Sequence, residues 1–316
     1  MQSIIKFNNV RFSSALKVLP LFVLGAIIFD LVSHGKVGMS YDFLINNDWG
    51  VDKLLWLVPV SILMIANWSF EAIKWRVLVN PFYNISFRNA FKSIWSGVST
   101  ALSTPNRFGD FIGKISHLPK DHRKKGMISS FYGSYSQWLV TMIMGWVGWL
   151  FYGDQIIDNA HIKASLSIVG AFVILLFVLL FISKSLVIIV PEKWKHYFSD
   201  APDFNSKAKI VLLSFLRYLA FATQFYLLIR FFGVELGYAT VFLNITLYYL
   251  ITSLVPMTFW GEIGVKESVA VWVFSGLIYN SLIIIGVTLL LWLINLIIPA
   301  LVGNYFLFKT VSQEKG

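Results

Sequence analysis

Cysteine is absent from the 316 residues. That excludes a disulfide framework, a thiolate nucleophile and any Cys-ligated metal. Charge is scarce too, at 13% Asp, Glu, Lys and Arg, where soluble domains carry roughly 25%. Acid is the scarcer sign, with 16 acidic against 26 basic residues. No polar stretch is long enough to fold alone as a soluble domain, the longest being Lys184–Lys209. The phosphate-cradling pattern G-x-x-x-x-G-K-[ST] does not occur, so no nucleotide-driven step is legible.

What is present is apolar: 57% hydrophobic and 17% aromatic residues, with a mean hydropathy of +0.71. This is the composition of an all-α polytopic membrane protein, a single transmembrane domain over residues 1–316. The net charge of +10 would suit nucleic acid, but the basic residues sit in short loops between apolar runs. That is the pattern of cytoplasmic membrane loops, and nucleic-acid binding is excluded on it. Continuous spans are expected at residues 18–32, 54–79, 127–152, 165–182, 210–232 and 279–308. The first could be a signal peptide, but no small-x-small cleavage site follows it, and a span is preferred.

Two further apolar segments are broken. Ser103–Asp110 reads STPNRFGD and Val255–Glu267 reads VPMTFWGEIGVKE. Pro105 and Pro256 lack a backbone N–H, and Gly109, Gly261 and Gly264 permit tight turns. Such breaks survive at membrane depth only inside protein or beside a water-filled cavity. Charge counts predict their topology. The N-terminal segment, both flanks of the first break, the Lys184–Lys209 loop and the tail are each net positive. The loops around Asp42–Asp52 and Asp154–Lys163 are net negative. All positive segments share one face only if both broken segments are re-entrant hairpins. The expectation is about six full transmembrane helices plus two re-entrant broken helical hairpins, with both termini cytoplasmic in a bacterial cytoplasmic membrane. The halves, about 1–155 and 160–316, would then form an inverted repeat with the hairpin tips meeting near the midplane.

The motif Gly261-Glu262-Ile263-Gly264-Val265-Lys266-Glu267, preceded by Pro256, resembles the G-G-L-G-V-R-E signature of the flippase-like transmembrane domain of lysylphosphatidylglycerol synthetases. Pro105-Asn106-Arg107-Phe108-Gly109-Asp110 resembles the same family's P-G-R-x-G-E signature. Asn106, Asp110 and Glu262 depart from the pattern, and Glu262 adds a charge where the family usually has none. Larger members carry a soluble aminoacyl-transferase domain that makes the lipid. The 316 residues hold no counterpart, so the resemblance implies movement of a lipid between leaflets rather than its synthesis.

The candidate site residues are the ionisable ones near the breaks, which at membrane depth are functional candidates by default. Arg107 suits a lipid phosphate bidentately, or it pairs with Asp110 three residues on. Glu262 and Lys266 are spaced for a helix ion pair. Glu267 is a candidate for a cationic head group, for Lys266, or for Arg217 across the cavity. Arg217, alone inside the fifth span, either snorkels to the cytoplasmic face or meets Asp110 or Glu267. The helix after each break would also present backbone N–H groups to an anion. Glu71, Lys74 and Arg76 are expected to form an interfacial cluster, and Lys114 to lie in a basic flank. His117, Asp121 and His122 could be drawn as a metal site. Their basic surroundings instead favour a solvated loop touching anionic lipid head groups.

The leading function is therefore a lipid flippase or scramblase-like transporter for a phosphate-bearing lipid, with no catalytic residues, cofactor or metal. The alternatives are a non-transporting partner of a lipid synthetase or glycosyltransferase, and a membrane-embedded lipid-modifying enzyme. A homo-oligomer and a separate lipid-synthesising enzyme both stay open as protein partners.

Overall fold

Helices that are apolar on every side need an apolar surround, and only closed backbone hydrogen bonding is tolerated there. The structure is a computed structural model that describes residues 50–102, 104, 109–157, 159–183, 202–255 and 259–313. Among the described residues every regular element is helical. After one turn at Val51–Leu54, the order is α1 (Leu57–Val79), α2 (Phe87–Leu102), α3 (Gly109–Ile115), α4 (Arg123–Tyr152) and α5 (Ala160–Ile182). Then come α6 (Phe204–Phe231), α7 (Tyr238–Leu254), α8 (Phe259–Phe274), α9 (Ser281–Trp292) and α10 (Ile298–Gln313). Four stretches are long and apolar enough to cross a bilayer: α1, α5, α6 and Ser281–Lys309. The expected span at 18–32 lies outside the described residues, as does most of the Lys184–Lys209 loop.

Local sequence sets the helix ends. Asn159 starts α5 by accepting from the backbone N–H groups of His161 and Ile162 at 3.0 and 3.2 Å. Asp203 does the same for α6 from Ser206 at 3.2 Å, and Asn280 for α9 from Leu282 at 3.1 Å. At the other end of α6, Gly233 takes φ +82°. The Gly233 N–H bonds the Arg230 carbonyl and the Val234 N–H bonds the Ile229 carbonyl, a Schellman stop that needs glycine at this φ. The last span is not uniform. Leu293–Ile297 forms a π-helical turn between α9 and α10. Pro299 has no N–H to give the carbonyl four residues back, so the ladder is rerouted there.

Two helical hairpins flank the breaks. In the first, α2 and α3 run antiparallel, with Gly113 against Ser96 and Gly109 against Thr100. Thr100 Oγ1 donates to the Gly109 carbonyl at 2.6 Å, and the Gly109 N–H donates to Thr104 Oγ1 at 2.7 Å. A Cβ on Gly109 would fall 2.2 Å from the Thr100 carbonyl oxygen. Glycine is required here for close approach. The second hairpin joins α7 and α8. The break residues themselves, among them Pro105, Arg107 and Pro256, lie outside the described residues.

The packing has a reciprocal pattern. α1 lies along α6, α2 packs on α10, and α7 packs on α4. The last two seams are backbone-close. A Cβ on Gly303 of α10 would meet the Trp95 carbonyl of α2 at 1.9 Å, and one on Gly148 of α4 would meet Thr246 of α7 at 1.9 Å. Small residues serve this purpose in membranes, where helices gain little from excluding water. An aromatic core between α6, α7, α8 and α9 includes Phe225 stacked on Phe274 at 5.4 Å. A second core joins α1, α2 and α10 through Trp75, Ile94 and Ala300. A third joins α4, α5 and α6 through Tyr132, Phe181 and Ile210. Helix α5 is the outlier. It is apolar all round, yet only Phe181 among its residues is buried, so it presents its side chains to lipid.

Gly303→Val and Gly148→Val should each lower the thermal midpoint of the purified protein. The expected loss is the overpacking cost of about 1–3 kcal/mol. Gly276→Ala meets nothing within 4 Å and should leave the midpoint unchanged in the same thermal-shift assay.

Candidate functional site

An ionisable side chain inside an apolar helix needs a partner, because an unpaired charge there is costly to bury. Glu71 of α1 has three. Lys74 Nζ lies 2.7 Å from its carboxylate, Lys114 Nζ 3.1 Å and an Arg217 Nη 2.5 Å. Lys114 also pairs with Asp110 at 2.6 Å, one turn away on α3. The cluster draws on α1, α3 and α6, and the Glu71–Arg217 link joins residues 146 apart in sequence. Glu71, Lys74 and Lys114 are buried. At 1.5 Å per residue, Glu71 sits roughly 12 Å in from the Val79 end of α1.

Uncharged groups complete the coordination. Arg217 Nε donates to Asn67 Oδ1 at 3.1 Å, and its guanidinium carbon lies 5.5 Å from the Trp68 ring centroid. Gln137 Oε1 of α4 accepts from Arg217 at 3.3 Å. Lys74 Nζ donates to the Gly133 carbonyl at 3.1 Å and to Ser214 Oγ at 3.2 Å. Ser136 and Ser214 share a hydrogen bond of 2.9 Å. Among the described residues three cations face two carboxylates, so this described cluster carries one positive charge in excess. Asn67 Nδ2 and Trp68 Nε1, both on residues that touch Arg217, are buried with no hydrogen-bond acceptor among the described residues. An excess positive charge beside buried donors is suited to an anion.

These positions revise several expectations. Glu71 and Lys74 are not interfacial; they are the buried centre, and Arg76 turns away to donate to the Ile85 carbonyl at 3.1 Å. Lys114 is not part of an exposed basic flank. It points into the cluster, because α3 folds back along α2 and carries it inward. Arg217 does not snorkel, since α6 begins at Phe204 and leaves it mid-helix; its carboxylate partner is Glu71 rather than Asp110 or Glu267. Asp110 takes Lys114 as its partner, while Arg107 lies outside the described residues. Asp110 and Arg217 thus share one network through Lys114 and Glu71. Glu267 is buried on α8, on the same face as Ala270 and Phe274, which pack into the aromatic core. The ion pairs of Glu71, Asp110 and Arg217 do not include Glu267, and Lys266 and Gly264 share its helix. Gly261 also lies on α8, whereas the Glu262 side chain is outside what the structure describes.

The histidines drawn together by the sequence have separate surroundings. His117 Nε2 is 2.8 Å from Ser96 Oγ. His122 lies against the rings of Phe82 and Tyr83, at 5.8 and 5.5 Å. Among the described residues no group of three His, Asp or Glu side chains could hold a metal ion. Burial, and then the nearby Lys92 charge, push the His117 imidazole down to about 4.

The sequence signals for the missed residues were short spacings. Glu71 and Lys74 are i,i+3, and Asp110 and Lys114 are i,i+4, both on helices, where such pairs face one another. What spacing could not supply was that α1, α3 and α6 bring these pairs to one point.

Fold and cluster together define an α-helical integral membrane protein with a buried ionic centre. Residues 45–303 match the family model described as the lysylphosphatidylglycerol synthase TM region. The chain belongs to that family, whose membrane domain gives it a lipid-related role. Comparison with curated proteins and with solved structures gives no match.

Glu71→Gln leaves three cations around a neutral amide. It should destabilise the protein by about 3–5 kcal/mol, the cost of breaking a buried pair from one side, read as a lowered thermal midpoint. A second prediction concerns pH. Because the folded His117 resists protonation, the unfolded chain binds more protons between pH 6.5 and about 4. Stability should fall as pH drops through that window, and His117→Gln should remove that part of the fall. An NMR titration of the His117 ring should show a midpoint near 4.

Proposed function

We propose that this protein moves a phosphate-bearing membrane lipid between leaflets, with the Glu71–Lys74–Asp110–Lys114–Arg217 cluster as the polar station for the head group. The observation that carries this reading is the cluster itself: among the described residues, five buried or partly buried charges on three helices, one positive in excess, inside a domain of a lipid-related membrane family. A purely structural ion pair would be neutral and its neighbours satisfied. Here the excess charge and the two buried donors of Asn67 and Trp68 match the acceptor oxygens of a phosphodiester. Arg217 supplies a planar fork and Lys114 a point charge, the two common ways of holding phosphate.

On this reading the chain is an inverted repeat with both hairpins re-entrant and both termini cytoplasmic. The reciprocal seams support it. α2 of the first hairpin packs on α10, which closes the second half, and α7 of the second hairpin packs on α4, which closes the first. The pair α1 and α6 occupies equivalent places in the two halves. Arg107, Glu262, Lys266 and Glu267 would approach the same path from the two breaks. Acyl tails remain in the bilayer while the head group passes through the station, and no chemistry on the lipid is required. Transport is then downhill or coupled to an ion.

Leaflet exchange of a labelled phospholipid in proteoliposomes of the full chain tests the proposal. Exchange should exceed that of empty liposomes, and Lys114→Gln and Arg217→Gln should each slow it by about ten-fold or more, the loss of one charged contact to the moving head group. Arg217→Lys keeps the charge and the fold but not the fork, and should fall between. Exchange at the empty-liposome rate in folded wild-type protein would overturn the proposal. Exchange restored only by an added lipid synthetase would favour the partner reading.

A further inference from the structure

A second basic feature lies at one end of the bundle, apart from the buried cluster. A cleft of about 590 Å³ opens between the start of α2, the segment leaving α3 and the end of α10. Arg88, Lys92 and Lys309 line it, with Asn89, Ser116 and His117 as uncharged polar neighbours. Among the described residues no carboxylate lines it. Arg88, Lys92 and Lys309 together give this open volume a positive potential, which favours an anion between them.

The cleft is held in shape by contacts that do not depend on a ligand. Ser96 Oγ bonds His117 Nε2 at 2.8 Å and reaches the Gly303 carbonyl at 3.4 Å, joining α2, the α3 exit and α10. Gly303 rests directly on the α2 backbone. Lys92 Nζ is 5.7 Å from the centroid of the Phe306 ring, which fixes a lysine that would otherwise sample many rotamers. A preformed site loses less ordering entropy on binding. With the imidazole of His117 neutral, the charge available is that of Arg88, Lys92 and Lys309.

The position identifies the class of ligand. Lys309 ends the apolar stretch Ser281–Lys309, so the cleft opens where a spanning helix leaves the hydrocarbon and lipid phosphates lie. Tyr305 and Phe308, one turn or less away on α10, are 64% and 67% exposed and offer an apolar approach to acyl chains. A phosphodiester such as phosphatidylglycerol brings one negative charge. A phosphomonoester brings close to two, nearer to what three cations balance.

We propose that this cleft binds a dianionic phosphate group, of the kind carried by a phosphomonoester lipid such as phosphatidate. Binding is independent of lipid movement, so it stands or falls separately from the transport proposal. The test measures binding of dioctanoyl phosphatidate, dioctanoyl phosphatidylcholine and inorganic phosphate to the purified full chain in detergent. Phosphatidate should bind about ten-fold or more tighter than phosphatidylcholine, and Arg88→Gln with Lys92→Gln should weaken it by a similar factor. Lys124→Gln with Lys125→Gln, basic but outside the cleft, should leave binding within about two-fold. Equal affinity for the two lipids, no loss in the cleft variant, or equal loss in the control would overturn the proposal. Inorganic phosphate displacing phosphatidate at comparable concentration would uphold the phosphate site and assign it to a soluble ligand.

Discussion

The carboxylate of Glu71 is the constraint on which the rest of this structure depends. It is one buried anion with three cations around it, two of them brought from other helices. Lys74 shares its helix, Lys114 arrives on the returning arm of a hairpin, and Arg217 comes from the middle of α6. The apolar packing of α1 against α6 would tolerate several registers, since lipid-like surfaces slide past one another at small cost. A buried, hydrogen-bonded ion pair does not. The register of α1 against α6, and the depth to which α3 inserts, follow from where these charges can be neutralised.

Much of the fold was legible in the sequence because the membrane imposes one rule, that apolar runs of about twenty residues become helices. The spans at 54–79, 165–182 and 210–232 correspond to α1, α5 and α6, with starts displaced by three to six residues. For α5 and α6 the displacement has a local cause. Asn159 and Asp203 are caps, and a cap sits in polar sequence ahead of the apolar run, so hydropathy alone starts each helix late. The two breaks were legible from their prolines and glycines. The π-helical turn was not, although Pro299 is its signal. A proline in a long apolar run is tolerated often enough in membranes that it does not by itself announce a rerouted ladder.

The site was legible only in part. Asp110 and Arg217 stood out as charges within apolar sequence, and both belong to the cluster. Lys114 did not, because it is followed by the basic residues of the α3–α4 connection and reads as one more of them. Its burial depends on α3 doubling back along α2, which Gly97, Gly109 and Gly113 allow and which no periodicity shows. Glu71 and Lys74 were misplaced for the converse reason. They fall toward the end of an apolar run, where the usual destination is the interface, and only the approach of α3 and α6 turns that position into an interior. Tertiary convergence, not composition, makes the centre.

The glycine seams carry a mechanical consequence. At Gly303 on Trp95 and at Gly148 on Thr246, the missing side chain leaves a notch in the glycine's own helix that the neighbouring helix enters directly. A seam with few interlocking side chains resists being pulled apart but offers little resistance to slip along the helix axis, the geometry of shear rather than of hinge. Any relative movement along such a seam would be translation of one helix past its neighbour rather than rotation about a hinge.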